Sequence, residues 1–228
     1  MMSFYPVCLD LDGRPCVVVG GGKVAERKVR GLLACHAQVT VISPELTDEL
    51  SRLHGEGMLE WLARPYKKGD LAQTFLVVAA TDDEQAQQLV QEEAGEQNKL
   101  LNVVDVPQRC NFILPATVRR GDLTVAIATG GKSPALAKKL RKELEKRIGP
   151  EYTVLVNILG AFRPQVLASG LSQPENELLF NRLLHDDMLD WIKERDWSRI
   201  ENHTLSVLGE SLGTECLQLA KPFFNYVS

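Results

Sequence analysis

Val17-Val18-Val19-Gly20-Gly21-Gly22-Lys23-Val24-Ala25-Glu26-Arg27-Lys28 decides the fold. A β-branched run favours an extended strand, three glycines permit a tight turn, and helix formers follow. Gly20 permits the turn. Gly22 has no Cβ to keep a phosphate away from the backbone. Ala25 is small enough for the new helix to lie close on the strand. Together they spell G-x-G-x-x-A, the dinucleotide-binding fingerprint, with a pyrophosphate resting on the positive N-terminus of a helix. An ordinary βα turn in a nucleotide-free domain could use the same glycines. The strand before them and the helix after them favour the nucleotide reading.

Working outward, the pattern predicts strands at 16–19, 39–42, 58–62, 75–80 and 100–104. Helices are expected at 24–35, from Ser43 to about 54, and from Thr81-Asp82-Asp83 to about 97. Ser43 can cap its helix and Pro44 can start it. Phe75-Leu76-Val77-Val78-Ala79-Ala80 is unbroken apolar sequence, as for a strand covered on both faces. Strands alternating with helices define an α/β fold with a Rossmann-like, doubly wound parallel sheet. After Asp105 the pattern changes. Segments 112–118 and 123–128 flank a turn at Arg120-Gly121-Asp122 and read as an antiparallel hairpin. Ser133 and Pro134 then open a strongly basic helix ending at Gly149-Pro150, and the remainder has helical period. The expected organisation is a nucleotide domain over 1–110, a hairpin and basic helix over 111–150, and a helical C-terminal domain over 151–228.

The 228 residues carry a net charge of −4, with 44% hydrophobic and 25% charged residues. That balance fits a globular protein and argues against nucleic acid as a general partner. No apolar run is long enough to span a bilayer, and no basic-then-apolar leader opens the chain, so no membrane and a cytoplasmic location are expected. Cys8, Cys16, Cys35, Cys110 and Cys216 are odd in number and lack C-x-x-C spacing, which argues for reduced thiols and against structural zinc. His36, His54, His185 and His203 are scattered, and no metal-ligating set is expected.

In a doubly wound sheet, ligands bind beyond the carboxyl ends of the strands. Gly20 to Lys23, Ser43-Pro44, Thr81-Asp82 and Asn102 to Asp105 should converge there. The acidic residue that usually binds the ribose, about twenty positions past the glycines, is replaced by Ser43. A hydroxyl can still bond a ribose hydroxyl, so NAD is expected, with weaker discrimination against NADP. Asp105 reads either as a general base or as a turn residue before Pro107. The loop Thr129-Gly130-Gly131-Lys132-Ser133-Pro134 could hold a carboxylate or phosphate on a helix N-terminus, or be a plain capped turn. The basic helix face reads most simply as solvated.

These motifs, in this order, resemble a known family: Val18 to Lys28, Ala79-Ala80-Thr81-Asp82-Asp83, Asn102 to Pro107, Cys110-Asn111-Phe112-Ile113-Leu114-Pro115-Ala116, and Thr129 to Ala137. The family is precorrin-2 dehydrogenase / sirohydrochlorin ferrochelatase, the N-terminal module of sirohaem synthases. The resemblance covers about two-thirds of the chain. It implies oxidation of precorrin-2 to sirohydrochlorin with NAD in sirohaem biosynthesis, with ferrous iron as a further substrate where chelation follows. It places the family's essential aspartate on Asp105 and the cofactor contacts on Gly22, Lys23, Val24, Ser43, Pro44 and Thr81. The substrate side falls on Asn111 and on Thr129, Gly130, Gly131, Lys132 and Ser133. Many relatives carry Ser where this chain has Thr129, a change that keeps the hydroxyl. The resemblance also implies a homodimer formed after the cofactor domain. Its interface is expected in the hairpin and basic helix over 111–150 and in the apolar run from Leu178 to Ile192, unless that run folds back on its own domain. A separate uroporphyrinogen methyltransferase is expected to supply the substrate. The rival class is a non-enzymatic NAD- or tetrapyrrole-binding regulator on the same fold.

Overall fold

The computed structural model describes residues 4–225. It divides into two compact units, 1–114 and 115–228. The division falls near the boundary expected at 110, and the second unit holds the hairpin, the basic helix and the C-terminal helices.

The first unit holds β1 (Pro15–Val19), α1 (Lys23–Leu33), β2 (Gln38–Ile42), α2 (Asp48–Gly55), β3 (Glu60–Leu62), β4 (Leu76–Ala79), α3 (Glu84–Glu96) and β5 (Leu100–Val103). All neighbouring strands pair in parallel, in the order β3-β2-β1-β4-β5. That is the doubly wound arrangement, and the order reverses beside β1, where such sheets bind ligands. The two faces of β1 separate by period two. Cys16 and Val18 join the core beneath α1 and α2, with Ala25, Val29, Leu50 and Leu53. Val17 and Val19 join the core on the opposite face, with Val90 and Ala94 of α3. Each fully buried Val or Leu contributes about 1.5–3 kcal/mol, which is why these strands read as unbroken apolar runs.

The start of α2 differs from expectation. The chain bends at Pro44 and stays non-helical through Thr47, and the helix begins at Asp48. Thr47 caps it by accepting from the Leu50 N–H at 3.3 Å, while its own N–H donates to the Gly21 carbonyl at 3.0 Å. Ser43 instead accepts the Trp61 indole N–H at its backbone carbonyl, 2.9 Å away.

The second unit opens with the hairpin β6 (Ala116–Arg120) and β7 (Leu123–Ile127), in antiparallel register from Ala116 opposite Ile127 to Arg120 opposite Leu123. α4 (Pro134–Arg147) follows, and the Arg120 guanidinium donates to the Glu145 carbonyl at 3.2 Å. α5 (Glu151–Ala168), α6 (Gln173–Leu183), α7 (Met188–Lys193), α8 (Trp197–Leu208) and α9 (Glu210–Phe224) form a helical bundle. Its core joins Ile158, Phe162, Leu183, Met188, Ile192, Ile200 and Cys216. The apolar run assigned above to a dimer interface is therefore largely consumed inside this unit. Leu183, Met188 and Ile192 are buried, Leu179, Phe180, Leu189 and Trp191 pack on the same core, and only Leu178 and Leu184 remain exposed.

Candidate functional site

Every strand of the first unit delivers its carboxyl end to one edge. Register fixes the levels there: Val19 lies opposite Ala79, and Ala79 opposite Val103. Gly20, Ala80 and Val104 consequently leave the sheet together, and Asp105 follows one residue later.

The three glycines at this edge have three different duties. Gly20 adopts a φ of 116°, and a Cβ there would lie 2.2 Å from the Ala80 carbonyl oxygen. Gly21 has no unusual dihedral, but a Cβ would meet the Glu45 carbonyl oxygen at 1.9 Å. The chain after β2 lies directly against this residue. Gly22 differs again, because a Cβ there would meet nothing within 4 Å. It caps α1 with its backbone alone. The first intrahelical bond is Glu26 N–H to the Gly22 carbonyl at 3.0 Å, which leaves the N–H groups of Lys23, Val24 and Ala25 ahead of the ladder. The other two helices of the sheet have side-chain caps, Thr47 for α2 and Asp83 for α3. An uncapped N-terminus with open space before it suits an anionic group, since orphan N–H donors and the helix dipole both favour negative charge.

The remaining cofactor candidates flank this cradle. Lys23 folds back on its helix, its amine 3.0 Å from Glu26, which also accepts from the Thr47 hydroxyl at 3.0 Å. Val24 and Pro44 are exposed and Ser43 is buried. The Thr81 hydroxyl accepts from the Asp83 N–H at 3.2 Å, and its carbonyl accepts from the Gln87 amide at 2.7 Å. Gln87 in turn accepts from Arg109 at 3.3 Å.

Asp105 sits in the turn after β5 with a φ of 61°, a left-handed conformation that Asp and Asn tolerate better than most residues. Sequence reasoning missed its electrostatic neighbour Lys28, which is half-buried on α1. Burial, and then the positive charge of Arg27, push the Lys28 amine below the usual lysine range, while Asp105 and Cys110 pull it back up. Lys28 lies three residues after Ala25, at the border of the buried face marked by Ala25, Val29 and Leu32. That spacing was its only signal. Burial also pushes the Cys110 thiol up, against the Val103 N–H and the charge of Lys28.

Asn111 is engaged with backbone. Its side-chain carbonyl accepts from the Leu101 N–H at 2.8 Å, and its amide donates to the Lys99 carbonyl at 2.7 Å. In the second unit, Gly130 and Gly131 take positive φ of 60° and 79°. The Thr129 hydroxyl accepts from the Ser133 N–H at 3.1 Å, Ser133 caps α4 by accepting from Leu136 at 3.2 Å, and Lys132 is exposed. Among the described residues no group of three or more His, Cys, Asp or Glu could hold a metal ion. No helix there is long and apolar enough to cross a membrane.

A five-stranded parallel sheet in this order, with an uncapped glycine-rich turn at its switch point, defines a dinucleotide-binding α/β protein. Residues 7–116 match an NAD(P)-binding family, and residues 120–147 match the central domain of sirohaem biosynthesis proteins. The chain thus combines an NAD(P)-binding unit with a segment similar to the central domain of sirohaem biosynthesis proteins. It is 42% identical to siroheme synthase 3 of Aeromonas hydrophila over 188 residues, which is 82% of this chain and 40% of that protein. It is 43% identical to the siroheme synthase of Thioalkalivibrio sulfidiphilus over 167 residues, 73% of this chain and 34% of that one. The chain thus spans about two-fifths or less of these relatives. Among solved structures, SirC, a precorrin-2 dehydrogenase, matches with a TM-score of 0.73 and 29% identity, covering 87% of this chain and all of SirC.

Proposed function

We propose that this chain oxidises precorrin-2 to sirohydrochlorin with NAD as hydride acceptor. The observation that carries the reading is the pairing of an uncapped, open α1 N-terminus with a carboxylate, Asp105, at the same edge of the sheet and two strands away. The likeness to SirC along its whole length supports it. NAD, when bound, supplies the hydride acceptor. The chain's own groups do the rest. The Lys23, Val24 and Ala25 N–H groups hold the pyrophosphate charge, and Gly22 allows its close approach. Asp105 takes the proton released as hydride leaves the macrocycle, and Lys28 lends the same end of the site a positive charge. The loop Thr129 to Ser133 and Lys132 receive carboxylates of the substrate. A uroporphyrinogen methyltransferase would supply that substrate. Ferrous iron is the substrate of a second proposed step, with Asp105 accepting pyrrole protons as the metal enters.

The test is to incubate the purified protein with precorrin-2 and NAD, following NADH and sirohydrochlorin by absorption, and then to add ferrous iron. Appearance of both products supports the dehydrogenase. NAD binding without reduction overturns it in favour of a binding module. Failure to form sirohaem on adding iron removes only the chelation step.

A further inference from the structure

The charge of this chain is distributed unevenly. Residues 115–147 carry nine Lys and Arg against three Asp and Glu, a net of +6, while all the others carry 17 against 27, a net of −10. Much of that positive charge lies along one stripe of α4. Lys138, Lys142 and Lys146 follow each other at helical spacing with Lys139 beside them, and all four are exposed. With Ala135 and Glu143 they line a shallow open concavity. The row is only weakly neutralised. Among the described residues Lys138, Lys142 and Lys146 make no ion pair, and Lys139 lies 3.9 Å from Glu143 in an exposed contact. Glu145, the helix's other carboxylate, is bound by Arg141. The stripe spans about 12 Å and runs toward the positive end of the helix dipole, where Ser133 and the Thr129 to Lys132 loop stand.

We propose that this face of α4 is an electrostatic docking track for a polycarboxylate, and that it draws an octacarboxylate tetrapyrrole toward the loop at the head of the helix. The inference rests on the function proposed above. It assigns to the lysine row the task of concentrating substrate. An acidic chain would otherwise repel a polyanion, and a surface lined by one sign of charge raises encounter rates by ~10-fold or more, in a salt-dependent way.

The test is a triple variant, Lys138→Gln, Lys142→Gln and Lys146→Gln. All three sites are exposed and Gln is a good helix former, so circular dichroism should show an unchanged fold. The probes are a porphyrin octacarboxylate and a porphyrin dicarboxylate, titrated by fluorescence at low and high salt. The wild-type protein should prefer the octacarboxylate and lose affinity as salt rises. The variant should bind it on the order of tenfold more weakly at low salt, with a shallower salt dependence, and kcat/KM for precorrin-2 should fall in step. Equal affinity and equal salt dependence in the two proteins would overturn the track. So would tighter wild-type binding to duplex DNA than to the octacarboxylate at the same ionic strength. Should the wild type bind the octacarboxylate as expected yet never reduce NAD with precorrin-2, the track stands and the proposed function fails.

Discussion

Gly21 and Gly22 are neighbours with opposite sensitivities. A side chain at Gly22 enters open space, so Gly22→Asp should fold normally while placing bulk and negative charge where a pyrophosphate would rest. The expected result is a melting temperature near wild type and NAD affinity reduced on the order of a hundredfold, about 2.7 kcal/mol. Isothermal titration and thermal denaturation on one preparation check both. Gly21→Ala should do the reverse, because the Glu45 backbone cannot yield easily. A loss of about 1–3 kcal/mol or more in urea unfolding is expected. At Asp105 the informative substitution is Asn, which keeps the left-handed turn and removes the carboxylate. Asp105→Asn should bind NAD as wild type does and lose ~10²–10⁴-fold in precorrin-2 oxidation. Turnover within a few-fold of wild type would return Asp105 to the status of a turn residue.

At the scale of elements, one carboxylate joins α3 to the loop before β4. Glu93 is 1% exposed. It accepts from the Tyr66 hydroxyl at 2.5 Å, the Gly69 N–H at 2.8 Å, the Leu71 N–H at 3.2 Å and the Gln97 amide at 2.9 Å. Burial pushes its carboxyl up, but these donors outweigh burial and hold it below the usual carboxylate range. A lowered folded-state pKa means that the stabilisation is complete above the unfolded value of about 4.3 and is lost as pH falls through the folded value. Glu93→Gln should therefore cost roughly 2–4 kcal/mol near neutrality, since it turns an amide toward buried donors. The gap from wild type in denaturant melts should narrow on acidification. A gap constant with pH would refute the ionised network.

Elements also set how much could be read in advance. β1 and β4 were legible because burial on both faces leaves continuous apolar sequence. The α2 start was misread because Ser43-Pro44 imitates a capped helix N-terminus, whereas the chain there stays non-helical through Thr47 and lays the Glu45 carbonyl against Gly21. Gly21 itself gives no local signal, since its constraint comes from a carbonyl 24 residues downstream. Lys28 was hidden for the same reason. Its partners stand beyond the far strand of the sheet. The turns at Gly20 and Asp105 were legible because their left-handed conformations are set by local sequence.

For the whole molecule, the open question in the sequence was what covers its apolar surface. The bundle of the second unit answers part of it by burying most of the run once assigned to a second copy. Apolar surface also remains on the flank of α4 and the hairpin, where Leu136 and Leu140 are exposed and Leu123, Val125 and Ile127 are half-covered. A homodimer should therefore form through this region rather than through α6 and α7. Light scattering at micromolar concentration should give twice the chain mass, and Leu136→Lys with Leu140→Lys should halve it. An unchanged dimer would move the interface elsewhere, and a wild-type monomer would remove it.

β5 ends the sheet, and the outer rim of an end strand offers unpaired amides to any passing chain. Here that rim is already filled. Asn111 takes the Lys99 carbonyl and both backbone groups of Leu101, and the Cys110 sulfur receives the Val103 N–H at 3.2 Å and reaches the Val103 carbonyl. Asn111, expected above on the substrate side, thus also covers this rim, which guards against strand-on-strand polymerisation, the usual hazard of an open sheet. Its removal should be felt in colloidal behaviour before chemistry. Asn111→Leu should scatter light and bind thioflavin on gentle warming, at temperatures where the wild-type protein stays clear.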